Sequence, residues 1–310
     1  MSDVFTEAFL TALVSGGILA GIPLLFAALG ETVSERAGVL NIGLEGMMLI
    51  GAYVGFSCAL YSGFTWVGLG AGLIAGMAVS LLMVLFCVRL GLDQIVIGIA
   101  ITLAAEGLTS LLHGAILTDR PRLGTPELVA IPGLDELPVV GQSIFTQHLV
   151  VFLGIGLAVA VWWMFRSTTV GLSLKAAGDK PSALDAAGVS VYRTRSGAVL
   201  TAGAMAGLGG AYLAILGAGT FEPFMTNGAG FIAIVIAMLA RGRAFWVVVG
   251  SLVIGMSLQL QTALQVARVD IPIDVVNMLP FLAVIVVLLI FGRKAYLPAA
   301  LGVPYVRGAR

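Results

Sequence analysis

Residues 34–53 read SERAGVLNIGLEGMMLIGAY and place Glu35, Arg36 and Glu45 between two strongly apolar stretches. Only 10% of the 310 residues are charged, and 59% are hydrophobic. A soluble protein carries about 25% charged residues. A water-soluble core of this apolarity would leave large adhesive surfaces. A lipid bilayer is the natural solvent, and several runs approach the roughly 20 apolar residues that a spanning helix needs. The three charges then mark a junction where the chain leaves the membrane and re-enters it.

Working outward from that junction, nine membrane segments are expected, over 9–29, 43–61, 66–88, 94–114, 147–166, 196–217, 228–240, 244–265 and 275–292. Segment 228–240 is short for a full span and reads as half of a broken helix. The opening MSDVFTEAF carries Asp3 and Glu7 but no Lys or Arg, unlike a cleavable signal, so the first run is expected to be retained. The fold class is therefore an all-α polytopic membrane bundle, with residues 1–310 forming one domain. Gly68, Gly72 and Gly76 repeat every four positions, as do Gly203 and Gly207, which points to close helix packing.

Lys and Arg set the orientation. If 167–195 is cytoplasmic, alternation also puts 30–42, 89–93, 241–243 and 293–310 inside. Those regions, with Arg166 at the membrane edge, hold every basic residue except Arg120, Arg122 and Arg268. The N-terminus is then outside and the C-terminus inside. Loop 115–146, with four prolines and mixed charges, is expected on the periplasmic side.

Several chemistries find no support. Net charge is zero, so no nucleic-acid partner is suggested, and membrane lipid is the expected surrounding. There is no G-x-x-x-x-G-K-[ST] phosphate loop and no H-E-x-x-H. Cys58 and Cys87 sit in apolar runs as small hydrophobes, and His113 and His148 neighbour no nucleophile motif. No metal, cofactor or catalytic residue is expected, and the chain does not read as an enzyme.

The polar loop 167–195 contains LSLKAAGDKPSALDAAGVSVYRTR (172–195). Pro181 suits a first helical turn, Ala183, Leu184, Ala186 and Ala187 favour helix, and Gly188 suits a stop. A short helix between two spans is either a docking knob or an interfacial linker. This loop resembles the coupling-helix loop of permease subunits of bacterial ABC importers, in the branch serving branched-chain amino acids, simple sugars and nucleosides. ERAGVLNIGLEGMMLIGAY (35–53) is similar to the S-E-R-x-G-V-x-N-I-G-L-E-G pattern of the nucleoside-type members. GAGFIAIVIAMLARGR and NMLPFLAVIVVLLIFGRK also look like that group's closing helices. The likeness covers about 10–295, without the extra N-terminal span of ribose-type members.

The resemblance implies a cytoplasmic ATP-binding cassette partner, docked under a coupling set of Lys175, Gly178, Asp179, Pro181, Asp185, Ala186, Ala187, Gly188 and Arg193. It also implies a periplasmic or lipoprotein substrate-binding protein, an inner-membrane location, and a second permease subunit. A heterodimer is expected and a homodimer is the alternative. Gly43 and Gly46 flank Leu44-Glu45 and permit a broken helix, which membranes tolerate only against protein or a water-filled cavity. The link from Glu31 to Glu45 is thus either a pathway element or a solvated turn with a structural ion pair from Arg36. N-I-G-L-E-G from Asn41 is echoed by N-G-A-G-F from Asn227, and corresponding broken helices of transporter repeats meet at substrate sites. The pathway candidates are Arg36, Asn41, Glu45, Glu106, Asn227 and Phe231, with Gly228 and Gly230 beside them. Phe221, Phe224 and Phe231 either stack on a solute or pack. The expected function is alternating-access import of nucleosides or a related small polar solute, with simple sugars the nearest alternative. An ion-coupled carrier, for which only Glu106 and Glu45 offer intramembrane acids, and a scaffold are the rivals of other classes.

Overall fold

The computed structural model of the chain describes residues 7–117, 122–124, 128–130, 141–266 and 297–307, together with Met278, Leu282, Ile285, Val286 and Leu289. Helix α1 covers Glu7–Arg36, α2 Leu44–Ser62, α3 Thr65–Met83, α4 Gln94–Ile116 and α5 Leu149–Ser167. Then come α6 (Thr169–Asp179), α7 (Pro181–Ala186), α8 (Val191–Tyr212), α9 (Ala229–Ala240) and α10 (Ala244–Val266). Helices α3 and α8 each continue into a π-helical turn, Val84–Arg89 and Leu213–Ala218. Among the described residues, six helices are long and apolar enough to cross a bilayer, and Ala229–Ala240 and Ala244–Leu260 are shorter apolar helices.

These helices follow the first eight expected segments in order. Segment 275–292 lies outside the described residues apart from Met278, Leu282, Ile285, Val286 and Leu289, which are helical. Within loop 115–146, Val129–Ala130 pairs antiparallel with Thr146–Gln147. Much of that loop lies outside the described residues.

Local chemistry sets several boundaries. Asp93 caps α4 by accepting from the N–H groups of Ile95 and Val96, both at 2.9 Å. Thr168 caps α6 and Ser190 caps α8 in the same way. Pro181 opens α7, and Gly188, at φ 83°, turns the chain out of it.

Helices α1, α2 and α8 each have 67% of their most apolar window buried, against 28% for α4 and 33% for α5. The first three form the centre, while α4 and α5 present Leu103, Leu111, Val159 and Trp163 outward as a lipid-facing surface. The centre is held by a glycine seam. A Cβ at Gly68 of α3 would lie 2.6 Å from the Gly55 carbonyl of α2, and one at Gly207 of α8 would run into the Gly72 carbonyl of α3. Gly51 and Gly207 likewise leave no room between α2 and α8. The expected packing role of these glycines is the observed one.

Candidate functional site

The α1–α2 link, residues 37–43, is not a solvated turn. Ala37, Gly38, Val39, Asn41 and Gly43 are buried. An irregular backbone inside a membrane protein must find partners for its N–H and C=O groups. Here side chains supply them. Ser34 Oγ donates to Val39 O at 2.8 Å, and the Asn41 N–H donates to Glu31 Oε1 at 3.0 Å. The Leu40 N–H donates to Gln94 Oε1 at 2.8 Å. Glu31 was expected at this turn only as an ion-pair partner for Arg36, and Gln94 was not expected there at all. Both are polar residues at the edge of an apolar run.

The charges flanking the link hold α9. Helix α9 has 12 residues, so at 1.5 Å per residue it is about 18 Å long, short of the roughly 30 Å hydrocarbon core. The terminal N–H and C=O groups of such a helix lack intrahelical partners. Glu45, 3% exposed at the start of α2, satisfies the N-terminal end. Its Oε1 accepts from Thr226 Oγ1 at 2.6 Å and from the Gly228 N–H at 2.9 Å. Its Oε2 accepts from the Gly230 N–H at 2.6 Å. At the other end Arg36 donates to the carbonyl of Arg241, the residue closing α9, and its guanidinium crosses Gly242. A carboxylate at the N-terminus and a cation at the C-terminus both complement the helix dipole.

The backbone is strained at the same two places. Among the described residues, Phe224 (φ 62°), Asn227 (φ 44°) and Arg241 (φ 54°) are the non-glycine residues with positive φ, and they bracket α9. Such conformations persist only where the surroundings impose them.

Of the two echoing stretches, it is Glu45 and Gly230 that touch: a Cβ at Gly230 would sit 2.6 Å from the Glu45 Cα. Asn41 lies beneath, its side-chain amide donating to Met47 Sδ at 3.3 Å. Asn227 is exposed, and so are Phe224 (54%) and Phe231 (41%). Phe221 is a packing residue, edge-on to Tyr53 at 5.2 Å between ring centroids. Glu106 is half-buried on α4, and among the described residues no hydrogen bond ties its side chain to this cluster.

The coupling set divides in two. Ala186, Ala187, Gly188 and Arg193 are exposed, as are Ser182 and Ala183. Leu184 anchors α7 by burying against Ala177, Val191 and Tyr305. The remaining members brace the loop from behind. Lys175 Nζ donates to Phe165 O at 2.7 Å, Gly178 packs on the Arg36 carbonyl, and Asp185 pairs with Arg307 at 3.1 Å. Pro181 and Asp179 lie half-buried between the two groups. The segment 297–307, for which no contact was expected, runs beneath: the Ala300 N–H donates to Gly178 O at 2.8 Å and Tyr192 Oη donates to Tyr305 O at 2.8 Å.

A family profile described as branched-chain amino acid transport system, permease component, matches residues 13–289. NupQ of Bacillus subtilis, a guanosine ABC transporter permease protein, is 33% identical over 97% of this chain and 98% of its own length. NupC of Lactococcus lactis, a nucleoside ABC transporter permease protein, is 31% identical over 96% of this chain and 98% of its own. TsgC13 of Haloferax volcanii, provisionally named a glucose ABC transporter permease protein, is 35% identical over 82% of this chain and 78% of its own.

Proposed function

The chain belongs to the family of branched-chain amino acid transport system permease components, and from that premise we propose that it is the nucleoside-conducting membrane subunit of an ATP-driven importer. Members of the family are transport subunits rather than enzymes, and this chain is accordingly a multi-pass protein of the inner membrane. The observation that carries the solute class is similarity along nearly the whole length to two permeases named for guanosine and nucleosides. A simple sugar is the second reading, favoured by the likeness to TsgC13.

In the proposed complex, ATP is hydrolysed by a separate cytoplasmic subunit seated on the exposed face of α7 and on Arg193. A substrate-binding protein delivers the solute from the periplasm, and a second, different permease chain completes the pathway. Asn227 and Phe231, exposed at the clamped end of α9, face the solute, the ring offering a flat apolar surface to a base. Glu45 and Arg36 position them. The buried Asn41 Oδ1, which has no partner among the described residues, offers an acceptor when the link moves. Glu106 is the remaining pathway candidate.

The test is reconstitution of the permease pair with its ATPase and binding protein in liposomes. ATP-dependent uptake of labelled guanosine, outcompeted by other nucleosides and not by glucose, is the expected result. Glucose uptake alone supports the sugar reading. Uptake driven by an ion gradient without any ATPase rules out both. Sidedness is checked with single cysteines at the exposed Ser182 and Leu128 in a background lacking Cys58 and Cys87. An impermeant maleimide should label Leu128→Cys from outside and Ser182→Cys only from inside.

A further inference from the structure

We propose that Arg195 is the joint through which the α6–α7 loop moves α9, an inference that rests on the permease reading above. Arg195 stands in the first turns of α8 and is 3% exposed. Its guanidinium donates to backbone carbonyls of three separate segments. Nε reaches Ala37 O of the α1–α2 link at 3.1 Å. Nη1 reaches Val303 O at 2.8 Å, in the segment beneath α7. Nη2 is shared between Ala177 O of α6, at 3.2 Å, and Ala300 O, at 3.5 Å. A guanidinium is a rigid plane with donors in fixed directions, so these segments are held at one mutual spacing.

Contacts continue from both sides of this joint without a gap. Toward the loop, the Ala300 N–H donates to Gly178 O, Tyr192 Oη donates to Tyr305 O, and Arg307 pairs with Asp185 of α7. Toward the bundle, Gly178 lies against the Arg36 carbonyl and the Gly302 N–H donates to Gly38 O at 3.1 Å. Arg36, next in the chain to Ala37, holds the closing carbonyl of α9. A displacement of α7 would thus reach the C-terminal end of α9 through groups already in contact, a hydrogen-bonded and packed chain of the kind that can carry coupling between distant sites. Arg195 is too deeply buried to touch an ATPase and lies outside the Glu45–Asn227 cluster, so its role is positioning.

The experiment compares wild type, Arg195→Gln and Arg195→Lys permease, each assembled with the ATPase, the second permease and the binding protein in liposomes. The reading is the number of ATP molecules hydrolysed per nucleoside imported, taken on complexes that retain the ATPase. The expected result is a rise of about tenfold for Arg195→Gln, with Arg195→Lys between it and wild type, because lysine keeps the charge but not the fork. A ratio equal to wild type in both variants overturns the proposal. So does loss of the ATPase from both, which would make Arg195 a brace of the docking surface. If Arg195→Gln does not assemble, Arg195→Lys is read by the same ratio, and an unchanged value again overturns it. A wild-type complex that neither retains an ATPase nor imports with ATP overturns the permease reading itself, and this inference with it.

Discussion

The α1–α2 link and the α6–α7 loop are both polar interruptions in an apolar chain, and they use their residues in opposite ways. In the link, Glu31, Ser34, Arg36 and Glu45 turn inward and close hydrogen bonds that the surrounding backbone leaves open. In the loop, Lys175 and Asp185 hold the frame while Ala186, Ala187 and Gly188 stand exposed. A charge in a membrane protein is therefore no direct sign of a solute, and an exposed small residue outside the spans is no sign of idleness. The first region is built to stay together and the second to receive a partner.

Five substitutions test that contrast, the largest expected loss of stability first. Glu45→Ala leaves the Thr226 hydroxyl and the N–H groups of Gly228 and Gly230 unsatisfied, and should destabilise the permease by about 3 kcal/mol or more, read by equilibrium unfolding in mixed micelles. Glu45→Gln keeps one good acceptor and should lose less stability while still impairing uptake. If Glu45→Ala unfolds like wild type and only uptake falls, the link is a pathway wall and the contrast collapses. Gly230→Ala drives a methyl into the Glu45 backbone and should cost about 2 kcal/mol, without changing any charge. Its equality with wild type in the same titration would mean that α9 sits loosely on α2.

Ala187→Glu belongs to the other region. It should change stability by less than about 0.5 kcal/mol, yet the complex should lose its ATPase in co-purification, because the new charge must be buried unpaired at the contact. Retention of the ATPase together with normal substrate-stimulated hydrolysis would remove α7 from the interface. The smallest effect is expected for Arg307→Ala. The Asp185–Arg307 pair is solvent-exposed on the arginine side, and such pairs contribute about 0.3 kcal/mol. A loss above about 1 kcal/mol in unfolding would show that segment 297–307 holds the loop through this pair rather than through its backbone bonds.

Much of this was legible in the sequence, and the reason differs by element. The long spans are legible because lipid demands uninterrupted apolar runs. Helix α7 was expected from Pro181 to Gly188 and runs Pro181–Ala186, since proline and glycine act on the backbone whatever surrounds them. The shortness of α9 followed from the length of its apolar segment, 228–240, and its ends fall at Gly228 and Arg241, both with positive φ. The meeting of Glu45 with Gly230 was hinted at by the repeated Asn and glycines, but not its purpose. Helix α6 was not expected. Gly171 and Gly178 lower its local propensity, and it is held by tertiary contacts, Gly178 against Arg36 and Lys175 on Phe165 O. Arg195 was counted only as a positive charge setting orientation. Its partners are main-chain carbonyls from distant parts of the chain, and no side-chain pattern announces those.

The glycine seam joining α2, α3 and α8 has a consequence for how the bundle assembles. Lipid tails are as apolar as leucine, so burying leucine between helices gains little there, and close van der Waals approach must do the work. A glycine has no rotamers to freeze, so Gly51, Gly72, Gly76, Gly203 and Gly207 bring three backbones into contact without the loss of side-chain freedom that accompanies packing of larger residues. Once docked, three helices locked main chain to main chain cannot slide separately. Glu45 and the N-terminal end of α9 are attached to that block, while Arg36 of α1 holds the other end of α9.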